Sequence, residues 1–223
     1  MQRGTAHAFE RGQSRVRALS CLVPITLRSL ALVAFALALA LALSASAQSR
    51  VQASMICSRG DEHQTFAAIV TMASTRPVGS LLQIRIDGLP SGTISHFGLN
   101  YLHDMNTDYS LPRGGTYIEG SAQLVPGTGT ANALQGASVR HEANTIRLLL
   151  PGHIDSGSSY TPPSIEFTLR VDALPGARLE LGFLHYQLTA NAIIIGDVLT
   201  SCEPASPMPS IATTLVIAGD VRP

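Results

Sequence analysis

Residues 165–172 read IEFTLRVD and alternate strictly between apolar and polar side chains. Because successive side chains of a β-strand point to opposite faces, this alternation predicts a half-buried strand whose apolar face lies in a core. The same period of two recurs in residues 82–87, LQIRID, and in residues 179–183, LELGF. Together the three segments make β structure the first expectation for this chain.

Less regular strand candidates occupy much of the remaining sequence up to residue 218. They are residues 51–57, 65–73, 93–101, 116–125, 137–142, 145–150, 187–195 and 211–218. Breaks rich in Gly and Pro, such as 87–92, 112–115 and 174–176, supply the backbone angles that turns require. Roughly eight to eleven short strands separated in this way predict an all-β fold, an antiparallel β-sandwich that is Ig-like or an irregular barrel.

The N-terminal segment has the organisation of an export signal. Five arginines and one acid precede the apolar run LALVAFALALALAL at residues 30–43, and Ala-Ser-Ala follows at residues 45–47. This order predicts a cleavable, helical signal peptide over residues 1–47. An uncleaved anchor is the alternative, although the apolar run is shorter than the roughly 20 residues that span a bilayer. The expected domains are therefore a β-sandwich at 48–202 and, at 203–223, a Pro-rich step and a final strand packing on it.

The mature part is mildly acidic. Residues 48–223 hold ten arginines and fourteen acids, and the whole chain contains no lysine. This balance argues against nucleic acid and against anionic lipid as partners, because both require a basic surface. We expect contact with a membrane only through the signal segment before cleavage. The expected location is secreted, periplasmic or in the cell envelope.

Two cysteines remain after removal of the signal, Cys57 near the start and Cys202 near the end. In an oxidising compartment, two thiols in one small domain usually pair. Nothing resembles a C-x-x-C redox motif. We therefore expect a structural Cys57–Cys202 disulfide.

Four short segments carry a resemblance to a known group of proteins. They are residues 54–57 (SMIC), 173–176 (ALPG), 200–204 (TSCEP) and 211–216 (IATTLV). In this layout the chain resembles bacterial exported β-sandwich domains of unknown function, which pair a first-strand Cys with a late Cys before a Pro-rich step and a short apolar strand. The resemblance implies a fold and a compartment, and it implies no activity.

One polar run has partial metal-ligand spacing. Asp104, Asn106 and Asp108 follow the D-x-N-x-D pattern that opens a calcium loop. Tyr109 stands where that loop needs Gly, and Gly115 stands where it needs Glu. An ordinary polar loop between strands explains the run equally well. No other cofactor is expected, and weak Ca²⁺ binding at these three residues is a hypothesis.

No catalytic motif is present, neither G-x-S-x-G nor H-E-x-x-H. The sequence therefore favours a non-enzymatic module with a binding, adhesive or cell-envelope structural role, its partner an unknown protein or envelope component. Residues 96–113 are the expected ligand-contacting region, because functional contacts concentrate on loops. The alternative is a secreted hydrolase or metal-dependent enzyme, with its site among the following residues: His103, Asp104, Asp108, His153 and Asp155.

Overall fold

A computed structural model describes residues 46–58, 63–205 and 210–219. Residues 1–45 of the expected signal peptide and residues 206–209 of the Pro-rich step lie outside these ranges. Within them, no helix has the length and apolarity to cross a membrane. One short helix, α1 (Ala131–Leu134), accompanies the strands. The strands are β1 (Ser46–Cys57), β2 (His63–Ala73), β3 (Thr75–Pro77), β4 (Leu81–Gly88), β5 (Leu99–Ser110), β6 (Gly115–Tyr117), β7 (Gln123–Leu124), β8 (Ser138–Glu142), β9 (Thr145–Leu150), β10 (Ile154–Asp155), β11 (Ile165–Val171), β12 (Arg178–Ala192), β13 (Gly196–Pro204) and β14 (Ser210–Ile217).

The alternation that suggested β structure is confirmed in β11. Ile165, Phe167, Leu169 and Val171 are each at most 1% exposed, whereas Arg170 on the other face is exposed. The strand pairs antiparallel with β4 in a register that sets Phe167 opposite Ile84, so the apolar faces of both strands are continuous.

A single hydrogen-bonded sheet builds the fold. Its main strand order is β6-β11-β4-β2-β1-β13-β12-β5-β9-β8. Phe66 of β2 stacks on Phe183 of β12 with ring centroids 4.0 Å apart, although β1 and β13 separate those two strands in the order. The sheet therefore curls over and packs its two halves face to face. The predicted antiparallel β-sandwich is confirmed.

The two halves join at a narrow seam between β1 and β13. Only three residue pairs are registered there, from Met55 opposite Pro204 to Cys57 opposite Cys202. The two cysteines form the predicted disulfide. The covalent bond thus reinforces a ladder of three registered pairs.

Strand β12 changes partners along its length. Residues 178–182 pair with β14, and a register shift after Leu181 precedes pairing with β5 and β13. The predicted strands at 179–183 and 187–195 are therefore one strand, which ends at Ala192. Strand β13 was not predicted, because Gly196, Asp197 and the polar residues after them hide its alternation.

The prediction that residues 96–113 form a loop is wrong for most of this region, which belongs to strand β5. Residues 99–110 form a long strand that pairs with β12 and β9, so of the predicted region only residues 96–98 and 111–113 lie in loops. The predicted strand at 93–101 accordingly starts later, and that at 116–125 shrinks to β6 and β7. The cause is that β5 carries polar residues on its solvent-facing side, where a loop and a strand look alike in sequence.

Candidate functional site

The end of the sandwich where β12 turns into β13 exposes a cluster of large apolar side chains. Ile193, Ile194 and Ile195 are 67%, 90% and 68% exposed, and Phe97 on the neighbouring loop is fully exposed at 105%. We call these four residues the apolar tip. Single exposed apolar residues are ordinary, but a contiguous group usually marks an interaction site.

The three isoleucines occupy the connecting loop of a tight hairpin. Ala192 and Gly196 are register partners, so residues 193–195 form a three-residue loop. Gly196 has φ +72°, the left-handed conformation that such loops place at their end. Turns favour Gly, Asn, Asp, Pro and Ser, whereas β-branched apolar residues favour strands. A run of isoleucines here contradicts the local preference, which is typical of a functional position.

Phe97 is held beside this hairpin by backbone hydrogen bonds. The amide of Leu99 donates to the carbonyl of His96 at 3.1 Å, which closes a turn with Phe97 at its corner. Gly98 supplies the positive φ, +80°, that the turn requires. The amide of Ile193 donates to the Gly98 carbonyl at 2.8 Å, so the two segments that carry the tip are directly connected.

The polar residues near the tip include carboxylates and histidine. Asp104 and Asp197 are both exposed, and His103 lies between them, with Nδ1 2.8 Å from Asp104 Oδ2 and Nε2 3.4 Å from Asp197 Oδ1. The pKa of Asp197 is lowered, first by a hydrogen bond from Asn191 and then by His103. Neither residues 88–112 nor residues 179–205 contain an arginine or lysine. The two chain segments that carry the tip therefore contain carboxylates and no arginine or lysine.

Four of the five residues suggested for an enzymatic site come together around one tyrosine. Tyr101 stacks on His153 at 3.7 Å between ring centroids and lies 5.5 Å from His103. His153 Nε2 is 3.1 Å from Asp155 Oδ1, and Asp104 contacts His103 as described. Leu102, between Tyr101 and His103, is buried, so the cluster faces the solvent side of the sheet.

The fifth residue, Asp108, belongs to a different network further along β5. Arg147 donates two hydrogen bonds of 2.8 Å to its carboxylate, one to each oxygen. His185 Nδ1 is 3.4 Å from Asp108 Oδ2, and its Nε2 is 3.1 Å from the hydroxyl of Ser201. This chain of four side chains crosses strands β9, β5, β12 and β13.

The three residues of the calcium hypothesis have separate partners. Asp104 contacts His103, Asn106 donates to Gln187 at 3.3 Å, and Asp108 binds Arg147. Among residues 46–58, 63–205 and 210–219, no group of three or more His, Cys, Asp or Glu is placed to hold a metal ion. Calcium binding stays a prediction, which calorimetric titration of the mature chain with Ca²⁺ tests.

Sequence reasoning missed the apolar tip because strand patterning counted its isoleucines as part of a strand. The signal that identifies it is the tripeptide Ile193-Ile194-Ile195 immediately before Gly-Asp, a combination that reads as a turn. Phe97, by contrast, lay within the region expected to contact a ligand.

Comparisons with known proteins give distant fold likenesses. No protein-family model matches the chain, and no curated protein matches it. The pilus backbone protein RrgB of Streptococcus pneumoniae is 14% identical with a TM-score of 0.31, covering 52% of this chain and 42% of its own. The group B streptococcus pilus 2b backbone protein is 15% identical with a TM-score of 0.37, covering 67% of this chain and 57% of its own.

A third solved structure is the collagen-binding domain of the surface protein RspB of Erysipelothrix rhusiopathiae. It is 9% identical with a TM-score of 0.35, and the match covers 78% of this chain and 56% of that one. This chain thus matches about half the length of these three structures. At such TM-scores the likenesses carry no argument about function, which has to come from the chain's own residues.

Proposed function

We propose that this chain is an exported, non-catalytic binding module whose contact surface is the apolar tip. The observation that carries the proposal is the side-by-side exposure of Phe97 and residues 193–195 on a covalently stapled β scaffold. Burying one large apolar side chain contributes about 1.5–3 kcal/mol. Four such side chains on two connected turns therefore form a compact anchor for a partner with a complementary apolar pocket.

The partner that fits this surface is a protein of the envelope or the extracellular space. A tip that inserts into a lipid surface usually combines apolar residues with basic ones, which anionic headgroups attract. Here the nearby charges are Asp104 and Asp197. These carboxylates oppose adsorption to an anionic bilayer, whereas they suit a protein pocket rimmed by hydrogen-bond donors or cations.

Equilibrium binding to envelopes of the native host tests this proposal. Since the chain has no lysine, an amine-reactive dye attaches at the N-terminal amine alone and leaves the tip unmodified. We expect saturable binding of the labelled mature domain and at least a tenfold weaker affinity for Ile194→Asp. Protease treatment of the envelopes is expected to abolish binding, and vesicles of the extracted lipids are expected to bind none.

Leu174→Asp is the matched control. Leu174 is 79% exposed and lies just before β12, at the opposite end of the strand from Ile194. Its replacement removes the same kind of side chain and adds the same charge, so binding is expected to stay at the wild-type level. Equal binding of both variants, or binding to the lipid vesicles, would contradict the proposal.

The predicted cleavage after Ala47 has its own test, which is intact-mass measurement of the exported protein.

A second candidate function, a secreted hydrolase, is favoured by the chain Asp108–His185–Ser201. A serine hydroxyl within hydrogen-bond distance of an imidazole that also contacts a carboxylate has the connectivity of a nucleophile, a base and its orienting group. Two contacts weaken the idea. Arg147 occupies both oxygens of Asp108, and the Ser201 amide donates to Ser58 Oγ rather than facing a site where an oxyanion forms.

Labelling with a fluorophosphonate separates the two functions. The binding-module proposal predicts that Ser201 does not react with the probe, because the Ser201 amide already donates to Ser58 Oγ and Arg147 holds both oxygens of Asp108. Covalent labelling of the wild-type chain that disappears in Ser201→Ala would establish the hydrolase instead.

A further inference from the structure

A cavity of about 470 Å³ lies between the two halves of the sandwich, beneath the loop that precedes β5. This size is in the range of small-molecule sites in proteins. Its walls are largely apolar and come from both halves and from the loop. The apolar side chains that line it include Met55, Phe66, Ile94, Leu102, Leu150 and Leu188.

Two tyrosines of the cavity wall have their hydroxyls next to each other. Tyr160 Oη and Tyr186 Oη are 3.3 Å apart. Burial is the main cause that raises the pKa of both phenols, so both stay protonated and neutral. Two hydroxyls that bond to each other use one donor between them, which leaves one O–H free to reach a further acceptor.

The lining contains no Arg, Lys, Asp or Glu among the described residues, and His96 is its one titratable side chain apart from the tyrosines. An ionised ligand would lose its hydration in this cavity without gaining an opposite charge, which is costly. A neutral ligand meets no such penalty. The lining therefore favours neutral ligands over ionised ones of the same size.

The roof of the cavity is already held in place. The amide of Ser91 donates to the Tyr160 carbonyl at 2.7 Å, and the amide of Tyr160 donates to Ser91 Oγ at 2.9 Å. The amide of Ile94 donates to the Ser158 carbonyl at 2.9 Å. Residues at the mouth, among them Pro90 and His96, are exposed, so the cavity communicates with solvent. Binding of a ligand therefore costs little free energy for ordering this loop.

We propose that this cavity binds a neutral, mainly apolar small molecule that presents one hydrogen-bonding group to the Tyr160–Tyr186 pair. The site is separate from the apolar tip, and the inference does not depend on the tip binding a protein. Alcohols, phenols and aromatic amines with an extended apolar body belong to the class that fits.

A pair of dyes that differ in charge tests the proposal on the purified mature chain. N-phenyl-1-naphthylamine is neutral and carries one N–H, and 1-anilinonaphthalene-8-sulfonate is the same skeleton with an anionic group. We expect saturable one-to-one fluorescence enhancement with the neutral dye and at least tenfold weaker binding of the sulfonate. Absence of saturable binding by the neutral dye, or equal affinity for both dyes, would overturn the proposal.

Three variants locate the bound dye. Ala190→Phe fills the cavity from β12 and is expected to abolish binding, with circular dichroism confirming that it folds. Tyr186→Phe removes one hydroxyl with little change in shape, and we expect a loss of about fivefold, as for one hydrogen bond. Ile194→Asp alters only the apolar tip and is expected to leave the affinity unchanged. Wild-type affinity in both cavity variants, or loss of binding in Ile194→Asp, would place the dye elsewhere and contradict the inference.

Discussion

Cys57 and Cys202 lie directly opposite each other on β1 and β13, the strands through which the two halves of the sandwich join. Their Cα atoms are 4.0 Å apart, and 145 residues of sequence separate them. The seam itself has three registered residue pairs. The disulfide thus reinforces this short ladder between the two halves of the domain.

Removal of this disulfide is expected to destabilise the mature domain strongly. A loop of this length constrains the unfolded chain by roughly 4–5 kcal/mol in the chain-entropy model. We expect Cys57→Ser/Cys202→Ser to lose about that much free energy of unfolding in urea. Alkylation of the unreduced wild-type domain is expected to modify no thiol, and modification of both cysteines would contradict the assignment.

The alternation in β11 predicts that two neighbouring residues differ widely in their contribution to stability. Leu169 is fully buried, and its truncation to Ala is expected to cost about 2–5 kcal/mol, because a cavity remains in the core. Arg170→Ala, on the solvent face of the same strand, is expected to change stability far less. Urea denaturation of both variants measures the difference. Similar losses in the two variants would mean that the strand is not oriented as described.

Two buried tyrosines and one partly buried tyrosine predict how stability depends on alkaline pH. The pKa values of Tyr109, Tyr160 and Tyr186 are raised, mainly through burial. An unfolded tyrosine ionises near pH 10, so above that pH the unfolded chain loses protons that the folded chain retains. Stability is therefore expected to be full below about pH 10 and to fall as the pH rises further. Tyr186→Phe should flatten that fall, as measured by urea denaturation at pH 8–11.

Loss of the Asp108–Arg147 ion pair is expected to destabilise the domain more than loss of the exposed pair of Arg170 and Asp172. Asp108 is largely buried and accepts two hydrogen bonds from the guanidinium of Arg147, and these bonds are the first cause of that group's raised pKa. Asp108→Asn is expected to cost about 1–3 kcal/mol, because a buried charge-assisted bond is lost. Asp172→Asn is the control, and solvent screening should make its effect small. Equal thermal shifts in the two variants would refute the difference.

The sandwich could be predicted from local alternation, and the disulfide could be predicted because residues 48–223 contain two cysteines. Alternation over residues 165–172 is specific for a half-buried strand, and two cysteines can form one intramolecular disulfide. The long strand β5 could not be predicted, since Asn106, Asp108 and Ser110 on its polar face resemble a loop in sequence, and the strand forms through pairing with β9 and β12.

The candidate site could not be predicted, because it is formed by residues that are distant in sequence and close in space. Nothing local connects Phe97 to Ile193, which lie 96 positions apart in the sequence. The pairing of β5 with β12 and the bond from the Ile193 amide to the Gly98 carbonyl bring their segments together. The network from Arg147 through Asp108 and His185 to Ser201 likewise joins four strands. Such groupings follow from the register of the sheet, which residue patterns alone do not specify.

Photo-cross-linking from the apolar tip tests the central claim most directly. A benzoylphenylalanine placed at residue 194 and another at residue 174 probe opposite ends of β12 in otherwise identical mature domains. On native envelopes we expect the probe at 194 to yield one discrete protein adduct, and competition by unlabelled wild-type domain to suppress it. The probe at 174 is expected to yield none. Equal adducts from both positions, or no protein adduct from position 194 while the domain is bound, would contradict the assignment of binding to the tip.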